Sequence, residues 1–516
     1  MWTRTYLALL LVRVYFAISP SYIHPDENFQ GPEVIAGRTF DLPYHQTWEF
    51  TSANPVRSSF SLWPVYTLPM LVLKGVGTEI GDGDVPPTVI YYALRLLMFI
   101  LSFVLEDWAI HELVQSPQRR KFASTLVASS YITWTFQTHT FSNAVETLVV
   151  LWSLVLIQRI IEKKQESLLS SAILGSIVTF GVFNRITYLL FVLVPLLYLL
   201  PHFFRRPLSL LAFLSAALCI TFVAVIADTR FYNPKFSVSD LWSNPTITPW
   251  NSLLYNSSKS NLSEHGLHPH YQHLTASLPF LLGPALLLLP TIIEHWRELH
   301  VVSAVTGTIF LSAVPHQEPR FLLPVVPMIL CSIRLPLSRR HRQVWLAVWA
   351  AFNIILGVLM GTYHQGGVIP AQIWLGQQEQ AVGSEHFWWR TYSPPLYLAG
   401  HSAGNTTDLM GIPFGDLQAK VLGALGECDT PSAMVKVVAP ASSLEMDGWE
   451  KTADEQGLEL EEKWRWRQHL NLDDLDIAED GILPTVRRVL GRRGLLIWDV
   501  KRLCQSDGGP VLAGDW

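Results

Sequence analysis

The chain has 516 residues, 49% of them hydrophobic and only 15% charged, with a formal net charge of −5 and a mean hydropathy of +0.26. Soluble domains carry about 25% charged residues, so this composition excludes an ordinary soluble protein for most of the chain, and the acidic balance argues against nucleic acid as a partner. The apolar residues fill successive runs up to about residue 362. The expectation is therefore a polytopic α-helical membrane domain over 1–362, followed by a soluble domain over 363–516 that is long enough for its own core.

The first apolar run covers residues 5–20. Arg4 gives it a positive start, but Arg13 interrupts it and no small-x-small cleavage site follows, so an uncleaved first span is expected. Directly after it comes Tyr22-Ile23-His24-Pro25-Asp26-Glu27-Asn28-Phe29-Gln30. Two readings of Asp26 and Glu27 are open here. They cap and charge a solvated loop, or they carry chemistry, since adjacent carboxylates at a membrane exit are costly to hold near hydrocarbon.

In residues 61–76, Pro64 and Pro69 are expected to break the segment, while Trp63 and Tyr66 suit an interface. Further spans are expected near 88–113, 122–137, 139–160, 168–183, 186–201, 208–227, 277–293, 300–314, 321–337 and 343–362. Basic clusters at Arg119-Arg120-Lys121, Arg159 with Lys163-Lys164, Arg205-Arg206, Arg297, and Arg339-Arg340 with Arg342 fall between them. All share one side, with the N-terminus, if 61–76 lies on the surface without crossing. That arrangement gives about eleven crossings and places the loop 21–87, the loop 228–276, the segment 315–320 and the tail on the far side. The sequons at Asn256, Asn261 and Asn405 fall in those same segments.

Polar residues punctuate the later spans. Glu146, in the segment Thr140-Phe141-Ser142-Asn143-Ala144-Val145-Glu146, sits one turn inside an apolar run, where it either pairs structurally or lines a cavity. Arg185 and Asp228 lie at far-side span ends and can join the same cavity. Loop 228–276 carries His265, His268, His270 and His273 at irregular spacing, which favours sugar or head-group contact over a metal site. His316-Gln317-Glu318-Pro319-Arg320 precedes the run from Phe321. An Arg fork beside a His suits a phosphate, the alternative being a snorkelling Arg and an interfacial His. Cys219 and Cys331 read as buried thiols, Cys428 and Cys504 are able to pair in an oxidising lumen, and no spacing reads as zinc. In the tail, 435–439 and 495–500 read as strands and 471–490 as a helix, so a small α/β domain is expected.

Carboxylates combined with phosphate-binding cations in a membrane fit glycosyl transfer from a lipid-linked sugar phosphate. The acceptor hydroxyl must lose a proton as it attacks, and cations must meet the charge developing on the leaving phosphate. The runs His24-Pro25-Asp26-Glu27-Asn28-Phe29-Gln30 and His316-Gln317-Glu318-Pro319-Arg320-Phe321 resemble the two signature motifs of glycosyltransferase family 22. These are lumenal mannosyltransferases of the GT-C fold that use dolichyl-phosphate mannose. Thr140 to Glu146 is similar to a third family segment, which often has arginine where this chain has His139.

Leu254-Tyr255-Asn256, Glu264-His265-Gly266-Leu267-His268-Pro269 and Arg390-Thr391-Tyr392-Ser393-Pro394-Pro395 resemble the subgroup that adds a fourth, α1,2-linked mannose to the GPI glycolipid precursor. The resemblance implies an inverting, metal-independent enzyme of the endoplasmic reticulum membrane, without cofactor, whose active site and C-terminal domain are lumenal. Asp26 would be the base, with Glu27 assisting, and His316 and Arg320 would hold the donor phosphate. His24, Asn143, Glu146, Arg185, Asp228, His265 and His268 would contact substrate. Rival readings are a sister mannosyltransferase with another lipid-linked acceptor, a proton-coupled transporter built on Glu146, Arg185 and Asp228, and a non-catalytic subunit. Transporters usually show internal repeats, and none is visible here.

Overall fold

The computed structural model describes residues 2–80, 84–162, 167–336, 338–378, 384–401, 404–426, 434–472, 481–506 and 509–512. The chain divides into two compact units. One gathers Met1–Ala17, Gln46–Val72 and Ala93–Gly357; the other gathers Ile18–His45, Leu73–Tyr92 and Val358–Trp516. The loop carrying Asp26 thus folds with the tail, although in sequence it lies inside the apolar half.

Among the described residues, six helices are long and apolar enough to cross a membrane: Pro87–Leu113, Ser142–Glu162, Ser167–Asn184, Pro207–Tyr232, His273–His295 and Arg339–Tyr363. Tyr188–Leu197 and Leu299–Ser312 are shorter apolar helices. Helices 167–184 and 207–232 approach closely because Gly175 presents no side chain; a Cβ there would meet the Phe213 carbonyl. Ser171 and Ser209 share a 2.6 Å hydrogen bond across the same seam. The outer stripe of helix 207–232, Leu208, Leu211, Leu214, Leu218 and Phe222, is exposed, as a lipid-facing surface requires.

The structure corrects several expectations. Residues 59–80 form one helical run, not a broken segment: Ser59–Leu62, a π-turn over Trp63–Thr67, then Leu68–Ile80. In the wide turn the Leu68 N–H bonds to the Trp63 carbonyl, one residue further back than in an α-helix. The ladder therefore shifts where Pro64 and Pro69 supply no donor. The span expected over 321–337 is instead a 3-10 turn, Pro319–Leu322, and a six-residue helix, Val325–Leu330, in a segment carrying three prolines. The span expected over 122–137 stops at Ala128 and resumes as the short turn Tyr131–Trp134. Cys219 is exposed on its apolar helix, whereas Cys331 is buried as expected.

The tail does build an α/β fold. Its strands are β1 (Glu385–Trp388), β2 (Asn405–Asp408), β3 (Val435–Pro440), β4 (Leu458–Trp466), β5 (Leu495–Ser506) and β6 (Gly509–Leu512). The sheet order is β2-β1-β3-β5-β4, with β6 paired to β5. The first three strands are parallel and β5 runs against β3 and β4. Alternation along β3 explains the packing. Val435, Val437 and Ala439 enter a core with Leu417, Val421, Trp449 and Trp498. Lys436, on the other face, stands opposite Asp499 and bonds it. The helix expected over 471–490 is observed from Ile482 to Gly491, and residues 473–480 lie outside the described residues. So does any pairing of Cys428 with Cys504.

Candidate active site

The acidic motif belongs to the unit that contains the tail. Pro25 starts a single helical turn, Asp26–Phe29, which carries both carboxylates at its positive end. They are not equivalent. The Asp26 side chain is 24% exposed, whereas Glu27 is buried and accepts a 3.3 Å hydrogen bond from the Ile23 N–H within its own turn. Asp26 also receives the Gln30 amide. The Asp26 N–H donates to His24 Nδ1 at 3.1 Å. Asp26 is therefore the carboxylate that a substrate can reach.

The tail wraps this turn. Tyr392 packs against Tyr22 and His24, with ring centroids 5.6 and 6.2 Å apart, and its hydroxyl lies 3.2 Å from His364 Nε2. Burial holds His364 down to about pKa 4, so its ring is neutral. Gln365, in a left-handed conformation at φ 49°, turns its side-chain oxygen toward the Tyr392 N–H. Glu33, one turn beyond, is fully buried and accepts the His45 and Leu396 N–H groups, both at 3.0 Å. Burial pushes its carboxyl up to about 8. The sequence reading missed Glu33, His364 and Tyr392. The signal that was available lay in the Arg390 to Pro395 segment, noted only as a resemblance.

The basic motif lies in the other unit, at the end of helix Leu299–Ser312. Glu318 sits between its two cations. It accepts His316 Nε2 at 2.9 Å and takes Arg320 through Nε and Nη2. The other His316 nitrogen faces the Gly266 carbonyl at 3.0 Å. Both ring nitrogens face groups that accept, an arrangement that favours the protonated ring. Burial opposes that charge, but the Glu318 and Gly266 bonds win and raise its pKa. Glu318 was part of the motif yet was given no role from sequence.

Arg185 joins the same cluster. Its guanidinium lies 5.4 Å from the Phe321 ring centroid, and Arg320 lies 5.7 Å from the same ring. Behind it stands the buried Glu146, 3.4 Å from Arg185 Nε and bonded by Thr187 Oγ1 at 2.6 Å and Asn143 Nδ2 at 3.3 Å. Arg185 also donates to Ser142 at 3.0 Å. His316, Arg320 and Arg185 thus gather around Glu318 and Glu146, a grouping of basic side chains that suits an anion. His265 and His268 flank His316, with centroids 5.8 and 6.0 Å away. Among the described residues, no group of His, Cys, Asp and Glu is arranged to hold a metal ion.

Asp228 stands apart from this cluster. It is fully buried and accepts Ser58, Ser59 and the Phe60 N–H on one oxygen and Thr248 on the other, which ties residues 58–60 to the loop 228–276.

Comparison with known proteins agrees with the two motifs. The model of the Alg9-like mannosyltransferase family matches residues 4–399. GPI mannosyltransferase 4 of Aspergillus oryzae is 48% identical over 97% of this chain and 99% of its own length. The Emericella nidulans protein of that name is 46% identical over 97% and 98%, and the Saccharomyces cerevisiae one 35% over 75% of each. Among solved structures, ArnT from Cupriavidus metallidurans bound to undecaprenyl phosphate superposes with a TM-score of 0.53 at 12% identity, covering 96% of this chain and 98% of that one. The fold is thus that of a GT-C membrane glycosyltransferase, and the chain belongs to the Alg9-like mannosyltransferase family.

Proposed function

We propose that the protein transfers a fourth mannose, in α1,2 linkage, from dolichyl-phosphate mannose to the third mannose of a GPI precursor. The observation that carries this reading is likeness along the whole chain to relatives named GPI mannosyltransferase 4. The geometry is consistent with the following roles. Asp26, the exposed carboxylate, takes the proton from the acceptor hydroxyl as it attacks the anomeric carbon. Glu27, whose carboxylate holds the Ile23 N–H, assists from the same turn. The imidazolium of His316 and the guanidinium groups of Arg320 and Arg185 receive the dolichyl phosphate as the glycosidic bond breaks. The donor is β-linked, so a single displacement inverts it. An ArnT of the same fold holds a polyprenyl phosphate, a donor carrier of the same chemical class.

A phosphate gripped by side chains needs no divalent ion, so activity should persist in EDTA. Loss in chelator with rescue by manganese counts against these roles. The basic clusters favour a cytosolic N-terminus, and a site and tail in the endoplasmic reticulum lumen. The decisive experiment supplies purified protein with dolichyl-phosphate mannose and a defined three-mannose GPI lipid. A four-mannose product cleaved by an α1,2-mannosidase supports the reading; transfer only to a different lipid-linked glycan overturns it.

A further inference from the structure

A run of rings leads away from the cation cluster. Phe321, between Arg185 and Arg320, meets His316 at 5.6 Å, and His316 meets His265 at 5.8 Å. His265 lies on the indole of Trp48 at 5.4 Å with 29° between planes. Tyr255 stacks on that indole at 4.5 Å and 26°. The Tyr255 hydroxyl and His265 Nε2 share a 2.8 Å hydrogen bond, so the two rings lie side by side against Trp48. The second His265 nitrogen makes no hydrogen bond among the described residues.

A purely structural stack would be covered and would be needed to fasten its loop. Neither condition holds. Trp48 is 40% exposed and His265 is exposed. The Trp48 segment is already fastened by the Arg57–Glu49 ion pair at 2.6 Å, by the Asp228 bonds to Ser58 and Ser59, and by Asn251 Nδ2 on the Pro55 carbonyl at 3.0 Å. Tyr255 and His265 cover one face of the indole, and the exposed remainder of that flat ring matches a hexose, which offers a C–H face to an aromatic surface.

We propose that Trp48, backed by Tyr255 and His265, forms a subsite for a neutral mannose of the acceptor glycan, stacked on the face of the indole opposite those two rings and beside the phosphate-binding cations. The proposal rests on the mannosyl-transfer reading and assigns the part of the acceptor that this face of the protein holds.

The test uses the full chain in detergent with the variants Trp48→Phe, Trp48→Leu and Trp48→Ala. Steady-state KM is measured separately for donor and for the three-mannose acceptor. Trp48→Leu and Trp48→Ala should raise the acceptor KM about tenfold with the donor KM unchanged, and Trp48→Phe should restore most of the loss. An unchanged acceptor KM in folded Trp48→Leu, or an equal rise for both substrates, overturns the subsite. Saturation-transfer NMR with a soluble trimannoside separates this proposal from the functional reading. If the wild type transfers nothing to the GPI lipid, contact with the trimannoside that Trp48→Leu abolishes and Trp48→Phe keeps still supports the subsite. Equal signals in wild type and Trp48→Leu overturn it.

Discussion

Replacing Asp228 distinguishes a latch from a substrate contact, and the structure sets the size of the effect. One carboxylate oxygen accepts Ser58 Oγ at 3.1 Å, Ser59 Oγ at 2.9 Å and the Phe60 N–H at 3.1 Å; the other accepts Thr248 Oγ1 at 2.7 Å. Asp228→Ala strands three hydroxyls and an amide where water does not reach. Each hydroxyl can turn, losing about 0.5–1.5 kcal/mol, and the stranded amide adds about 1–3 kcal/mol, for a total of roughly 2.5–7.5 kcal/mol. Asp228→Asn keeps a carbonyl for the first three donors and offers its NH2 to Thr248, whose hydroxyl can accept, so it costs about 1 kcal/mol. Thermal unfolding in detergent reads the stability, and mannosyl transfer is followed at a temperature where all forms are folded. The alanine variant should melt much earlier, while the asparagine variant stays near native in both melting and donor KM. If Asp228→Asn melts normally but loses transfer, the carboxylate touches substrate and the latch is refuted. Equal destabilisation by Ala and Asn refutes the hydrogen-bond accounting.

Three further outcomes follow from the two motifs. Asp26→Asn should cut kcat by about two to four orders of magnitude with an unchanged melting temperature; if Glu27→Gln is the more damaging in kcat, the buried carboxylate is the base. Glu318→Gln should move the alkaline limb of the pH profile for donor kcat/KM toward lower pH. The raised His316 pKa keeps the imidazolium, and hence phosphate binding, present at low pH and loses it as pH rises through that value. Without Glu318, burial and Arg320 both favour the neutral ring, with only the Gly266 carbonyl opposing them; an unmoved limb sinks the imidazolium role. Glu33→Gln should flatten the fall in melting temperature between pH 5 and about 8. A carboxyl whose folded pKa is raised to about 8 lends stability that is complete below its unfolded value near 4.5 and gone above 8. A wild type whose melting temperature is level across that window contradicts the neutral Glu33.

Much of the chemistry was legible because each motif is local. Asp26 next to Glu27, and His316 four residues before Arg320, are statements about neighbours in the chain, and a helical turn or a short loop keeps such neighbours together. The sheet strands around Val435 and Leu495 were legible for the same reason, since side-chain alternation has a period of two. Glu318 was visible but unreadable. That it bridges both cations depends on side-chain directions, which a spacing does not carry.

The sequence by itself determined membrane composition, the acidic and basic motifs and the α/β character of the tail, because hydropathy and periodicity are properties of short windows. Only tertiary structure decided that the acidic turn folds with the tail, that Asp26 is open where Glu27 is closed, and that Asp228 gathers donors from residues 58–60 and Thr248. It also decided that the Pro64–Pro69 segment stays helical by widening one turn. Those outcomes rest on partners distant in the chain, or on a shift of the hydrogen-bond ladder. Burial and charge pairing are set by what packs against a residue, and no local pattern encodes that.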